Sequence, residues 1–167
     1  MEKENVINIF LDGVSSEILN LGYIESVALS ALHICSVAGV EASIVLADDD
    51  TLRGLNRDYR GIDETTDVLS FSNDHEGEYY GDPADLNDRF TGDSFVLPET
   101  VTDQLGEVVI SLPQIERQAN GLLIDELGHI VAHGFLHLLG YDHEKHEEKA
   151  VMQRLESDIL ERAENIV

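Results

Sequence analysis

The first apolar run in the chain, Val6–Leu11 (VINIFL), is short and β-branched, which predicts a strand ended by Asp12 and Gly13. From Glu17 to Ala38, apolar residues recur at Ile24, Val27, Ala28, Ala31, Leu32 and Cys35, the stripe of an amphipathic helix. Ala42–Ala47 (ASIVLA) predicts a second strand, and Asp48, Asp49 and Asp50 are candidate N-caps for a helix running to Tyr59. After Gly61, Val68–Phe71 (VLSF) predicts a third strand. The pattern then lapses. Residues Asn73 to Gln104 hold nine acids, one arginine and two of the three prolines without a sustained period, which predicts an acidic excursion on the surface. Regularity returns with Gly106–Leu112 (GEVVISL) as a fourth strand and Pro113 placed to open a helix to Asn120. A longer helix from Ile124 to Leu139 and a charged amphipathic one from Glu144 to Ala163 complete the series.

Strands and helices in this order, without regular βα alternation, predict an α+β fold: a small mixed four-stranded sheet packed with about five helices. At 167 residues, without repeats or a linker, the chain reads as a single domain over 1–167. The one cysteine, Cys35, excludes an internal disulfide framework and fits a reducing compartment. The N-terminus lacks a signal-peptide layout, and Glu25 and His33 interrupt the longest membrane-span candidate. A cytoplasmic protein with no membrane partner is the expectation. Charge complicates the choice of partner, because 34 acidic residues against 10 basic ones leave a formal net charge of −24. Such a surface repels polyanions, so composition by itself argues against RNA and DNA.

The chemistry concentrates at His133-Gly-Phe-Leu-His137-Leu-Leu-Gly140-Tyr-Asp-His143. Histidines four apart on a helix project from one face, one turn above the other, so two imidazoles can reach one ion. Gly140 stands where a left-handed C-cap would end the helix, and the reversed chain can bring in His143 as a third ligand. Three nitrogen ligands leave one tetrahedral position open, as in a catalytic metal site. Imidazole suits zinc, but also nickel, copper and iron. The spacing is that of the metzincin peptidases, which place a glutamate base directly after the first histidine; here that residue is Gly134. The metal site survives this comparison and the peptidase does not. His129 reads as a packed or exposed helix histidine, and His33, His75 and His146 are not assigned to the metal. Arg53, Arg57 and Arg60 share one side of the second helix. Salt bridging to surface acids is the expectation for Arg53 and Arg57, whereas Arg60, beside Gly61, is the candidate for phosphodiester recognition.

HGFLHLLGYDH at 133–143 resembles the signature of the YbeY family of bacterial metal-dependent endoribonucleases. LNRDYRG at 55–61 followed by TDVLSF at 66–71 matches a second block of that family, and LGEVVIS at 105–111 a third. The resemblance implies one Zn2+ per chain held by His133, His137 and His143, with His133 and Arg60 as catalytically important positions. It implies single-strand-specific endoribonuclease activity in rRNA processing, notably at the 16S rRNA 3′ end, and in ribosome quality control. Partners would be single-stranded RNA or rRNA and the ribosome or its proteins, not DNA. In this reading zinc activates water or polarises a phosphoryl oxygen while Arg60 stabilises the charge that builds during cleavage. Two alternatives stay open. One is a zinc hydrolase of another substrate class, for which Glu107 and Asp142 are nominal bases; the other is a non-catalytic ribosome-assembly factor with a structural zinc.

Overall fold

The two most deeply buried strands lie in the middle of the sheet. A computed structural model describes residues 3–15, 17, 19–73 and 103–166. Strands β1 (Val6–Leu11), β2 (Val40–Ala47), β3 (Val68–Ser72) and β4 (Asp103–Ser111) form one sheet in the order β1-β2-β4-β3. β1, β2 and β4 run parallel and β3 pairs antiparallel with β4. β2 and β4 are covered on both faces, as the inner strands of a parallel segment must be, whereas the edge strand β1 leaves Val6, Phe10 and Leu11 exposed.

Side-chain alternation divides the sheet into two faces. Ala42, Ile44 and Leu46 of β2, with Val108 and Ile110 of β4, enter the main core. There they meet helices α1 (Leu21–Ile34), α4 (Leu123–Leu138) and α5 (His146–Ile166). The other face packs Ala47, Leu69 and Val109 against Leu52 of α2 (Asp49–Arg60), with Leu55 and Phe71 beside them. The short α3 (Leu112–Gln118) follows β4 directly, with Pro113 in its first turn and the Ser111 hydroxyl accepting from the Gln114 N–H. Asp49 draws α2 toward α3: it accepts two hydrogen bonds from Arg117 (2.7 and 2.8 Å) and one from the Ser111 hydroxyl (2.8 Å). The mixed four-stranded sheet with helices on both faces is the α+β architecture expected. No described helix is long and apolar enough to cross a membrane.

Boundaries shift where local capping decides them. α1 starts at Leu21 rather than Glu17, because the Asn20 side chain accepts from the Tyr23 N–H and sets the first turn there. Asp48 is the N-cap of α2, accepting from Thr51 N–H at 2.9 Å. β4 begins at Asp103, so the last two residues of the expected acidic excursion belong to the sheet. Gln104 donates to Glu41 (2.8 Å), which also accepts from Asn8 (2.6 Å), linking three strands through polar side chains. Residues 74–102 of that excursion lie outside the described residues.

One position in β4 admits no side chain. Gly106 follows a register shift opposite Glu41/Ala42 and has φ +147°. A Cβ there would stand 2.2 Å from the Phe71 carbonyl oxygen and 2.7 Å from Leu138 Cδ1. Gly106→Ala is expected to destabilise the fold by roughly 2–4 kcal/mol, from backbone strain plus overpacking. A chemical-denaturation midpoint checks this, and an unchanged midpoint would show that the strand relaxes freely.

Candidate metal centre

α4 carries two of the three histidines, and its geometry follows from how close it lies to the sheet. Gly134 faces β4: a Cβ there would come within 2.7 Å of Val108 Cγ1 and 3.3 Å of Val68 Cγ2. The Gly134 carbonyl accepts from the Ser70 hydroxyl at 2.8 Å. The position at which zinc peptidases carry their base is therefore pressed against a strand, with no room for glutamate. His133 and His137 project elsewhere on the helix, both half-buried.

The helix then ends in a Schellman turn. Gly140 takes φ +98°, its N–H donates to His137 O (3.0 Å), and Tyr141 N–H donates to Leu136 O (2.9 Å). The reversed chain brings exposed His143 back over the helix, and Asp142 Oδ1 accepts from the His143 N–H at 2.7 Å. The three rings gather at centroid separations of 4.5, 5.1 and 5.5 Å. One nitrogen from each of the three lies within 4.8 Å of the others.

Protonation favours ligation. Burial, aided by His133 and His143, lowers the His137 pKa to about 4, so its ring is neutral at pH 7. His133 Nδ1 lies 2.7 Å from Glu156 Oε1, and Glu156 Oε2 lies 3.2 Å from His129 Nε2. Burial pushes the Glu156 carboxyl up, but hydrogen bonds from His129 and His133 outweigh it and hold the pKa at about 2. The same bond, against burial, raises His129. An ionised carboxylate only accepts, so a neutral His133 that donates Nδ1–H to it has its lone pair on Nε2. That nitrogen is 3.0 Å from His137 Nε2. Two ligands of a tetrahedral ion at ordinary bond lengths stand about 3.3 Å apart. The donor set fits a divalent metal ion.

The remaining candidates separate from this cluster. Arg53 pairs with Asp63 (2.8 Å) and Arg57 with Asp58 (3.4 Å), so both form salt bridges with surface acids. Arg60 is exposed at the end of α2, on the sheet face opposite α4. The ends of α2 and α4 nevertheless reach the same end of the sheet. Tyr59 packs edge-on against Phe71 at 5.1 Å, while Leu138 faces Gly106, the register partner of Ser72. Glu107 sits between two residues that face α4, so it points to the α2 side and supplies no base to the histidines. Asp142 is engaged in holding the turn. Glu156 was not singled out in the sequence, although it falls in register with Met152, Ile159 and Ala163, all buried, where an acid has no place in a plain amphipathic helix.

Comparison with known proteins points one way. The family model described as "Endoribonuclease YbeY" matches residues 17–164. An endoribonuclease YbeY of Geobacillus thermodenitrificans is 41% identical over 127 residues, 74% of this chain and 73% of that protein. One from Desulforamulus reducens is 37% identical over 161 residues, covering 94% of this chain and 95% of the relative. The solution structure of TM1509 from Thermotoga maritima aligns with a TM-score of 0.56 at 25% identity, covering 95% of this chain and 89% of that one.

The low His137 pKa makes a stability prediction. Unfolded, this histidine protonates near its ordinary value of 6.5; folded, it does so only near 4. Between these values the unfolded chain binds more protons, so the metal-free protein loses stability as pH falls from 6.5 to 4. Denaturation midpoints in chelator should show this slope, flattened in His137→Gln. An identical slope in the variant would assign it to other groups.

Proposed function

This chain belongs to the YbeY endoribonuclease family, and from that membership we propose that it is a zinc-dependent, single-strand-specific endoribonuclease. Its work would be rRNA maturation, at the 16S rRNA 3′ end, and ribosome quality control in the cytoplasm. The observation that carries this reading is the convergence of the His133, His137 and His143 nitrogens within 4.8 Å of one another. One zinc ion per chain held there would supply Lewis acidity for a phosphodiester oxygen or for water.

The chain's own groups take the remaining tasks. His133 and His137 present ring nitrogens from a rigid helix, His137 as a neutral imidazole, and His143 closes the site from the turn. Arg60 stabilises negative charge on the phosphoryl group from across the β3 edge, where the ends of α2 and α4 approach the same end of the sheet. A single strand of RNA is thin and flexible enough to pass around that edge. The scissile phosphate would sit at the histidines and the strand would run toward the α2 terminus. The negative global charge disfavours long-range capture of RNA, so binding would depend on these local positive groups and on a ribosomal partner.

That same charge of −24 favours a second reading, a ribosome-assembly factor docking on basic proteins with its metal purely structural. Cleavage of a labelled single-stranded RNA separates the two. Zinc-loaded wild type should cut it and His133→Ala should not. His137→Ala should lose metal and activity together. Arg60→Ala should keep the metal and cleave about 10²–10³-fold more slowly. An unchanged Arg60→Ala rate removes that residue from the mechanism, and an inert, zinc-bound wild type favours the assembly factor.

A further inference from the structure

The least expected side chain in the core is Glu156. Helix α5 buries Met152, Ile159 and Ala163, and Glu156 shares their stripe at 6% exposure. A buried carboxylate is costly unless charge-assisted hydrogen bonds replace its water. Both of its oxygens are occupied by histidines: Oε1 by His133 Nδ1 at 2.7 Å, Oε2 by His129 Nε2 at 3.2 Å. Neither arm uses lysine or arginine, although such a pairing would neutralise the acid more firmly. If Glu156 served only to hold α5 against α4, an apolar side chain like its neighbour Met152 would do so without the cost of burying charge.

His133 is shared between two demands. Its Nε2 faces His137 at 3.0 Å, and its Nδ1 faces Glu156. A neutral imidazole carries one proton, so whatever fixes that proton on Nδ1 frees Nε2 to ligate. Metal-bound histidines are generally oriented and made more basic by such a partner. We propose that Glu156 is the positioning residue of this metal centre: it holds His133 in the Nδ1–H tautomer with Nε2 aimed at the ion, and with its second oxygen it tethers His129 as an outer imidazole. The docking of α5 thereby becomes a determinant of metal affinity, although α5 supplies no ligand. His129 and Glu156 also border a cavity of about 410 Å³ shared with His133, His143, Lys149 and Gln153, so the outer imidazole stands at an approach to the centre.

This inference rests on the histidines being a metal site and not on what the site cleaves. ¹⁵N-histidine NMR of the wild type tests it without any substitution: His133 should be protonated at Nδ1 when metal-free and bound through Nε2 when zinc is added. Binding through Nδ1 would overturn the proposal. Zinc affinity, by competition with a chromogenic chelator, should fall about 10–100-fold in Glu156→Leu, with a smaller loss in Glu156→Gln. Metal-free thermal midpoints should fall in Glu156→Leu, which strips His129 and His133 of their acceptor, and fall less in Glu156→Gln, so zinc affinity is compared at a temperature where both variants are folded. Wild-type zinc affinity in both variants would overturn it as well. Should Glu156→Leu fail to fold, Glu156→Gln and the wild-type spectra still decide. Loss of the ribonuclease reading with these results intact would leave the proposal standing, whereas a wild type that binds no zinc would end it.

Discussion

The close approach of α4 to β4 is the constraint on which the rest of the site depends. Gly134 and Gly106 have no Cβ, so the helix backbone settles against Val108 and Val68 while Leu138 covers the start of the strand. A helix held this closely has no freedom to roll about its axis. His133 is then directed toward the seam with α5, where it meets Glu156, and His137 stands one turn further on, its Nε2 3.0 Å from that of His133. The same contact excludes a glutamate base from position 134. This histidine cluster therefore differs from a zinc peptidase site through packing, and the lack of a base at position 134 and the rigidity of the helix that carries His133 and His137 have one cause.

Much of this could be read from the chain because local rules dominate where the chemistry lies. Histidine spacing on a helix and a glycine at its end are short-range signals, and both appear as expected, down to the left-handed Gly140. The strands were recognisable because each inner one carries a short β-branched apolar run, Ile44–Ala47 in β2 and Val108–Ile110 in β4, that burial in mid-sheet demands. The start of α1 was less legible, since the apolar stripe begins only at Ile24 and the first turn is set by the Asn20 side chain, which captures the Tyr23 amide. Glu156 was missed because its meaning is entirely tertiary. In sequence it is one acid among many on a charged helix. Only the packing of α5 on α4 shows that it faces inward.

Arg60 illustrates the opposite case. Its place at the end of α2 follows from local signals, yet the layer it belongs to depends on strand order. With β3 on the sheet edge, the arginine and the histidines occupy opposite faces near one end of the sheet. Any joint action is then an action around an edge rather than across a pocket, which suits an extended polymer better than a compact small molecule.

The turn at Gly140 also bears on how the centre assembles. All three ligands fall within residues 133–143, so closing the ligand set needs only a helix and its reversal. Their supports come from farther away: Glu156 bonds across 23 positions and Ser70 across 64. Loop-closure entropy grows with such separations and non-local contacts form later in folding. A nascent chain can therefore present three clustered imidazoles before the sheet and α5 are in place. An early ion would be held loosely at first and gripped only as the remote supports dock. If these histidines take an ion, the order of acquisition, ion first or fold first, would be a kinetic choice set by the availability of metal.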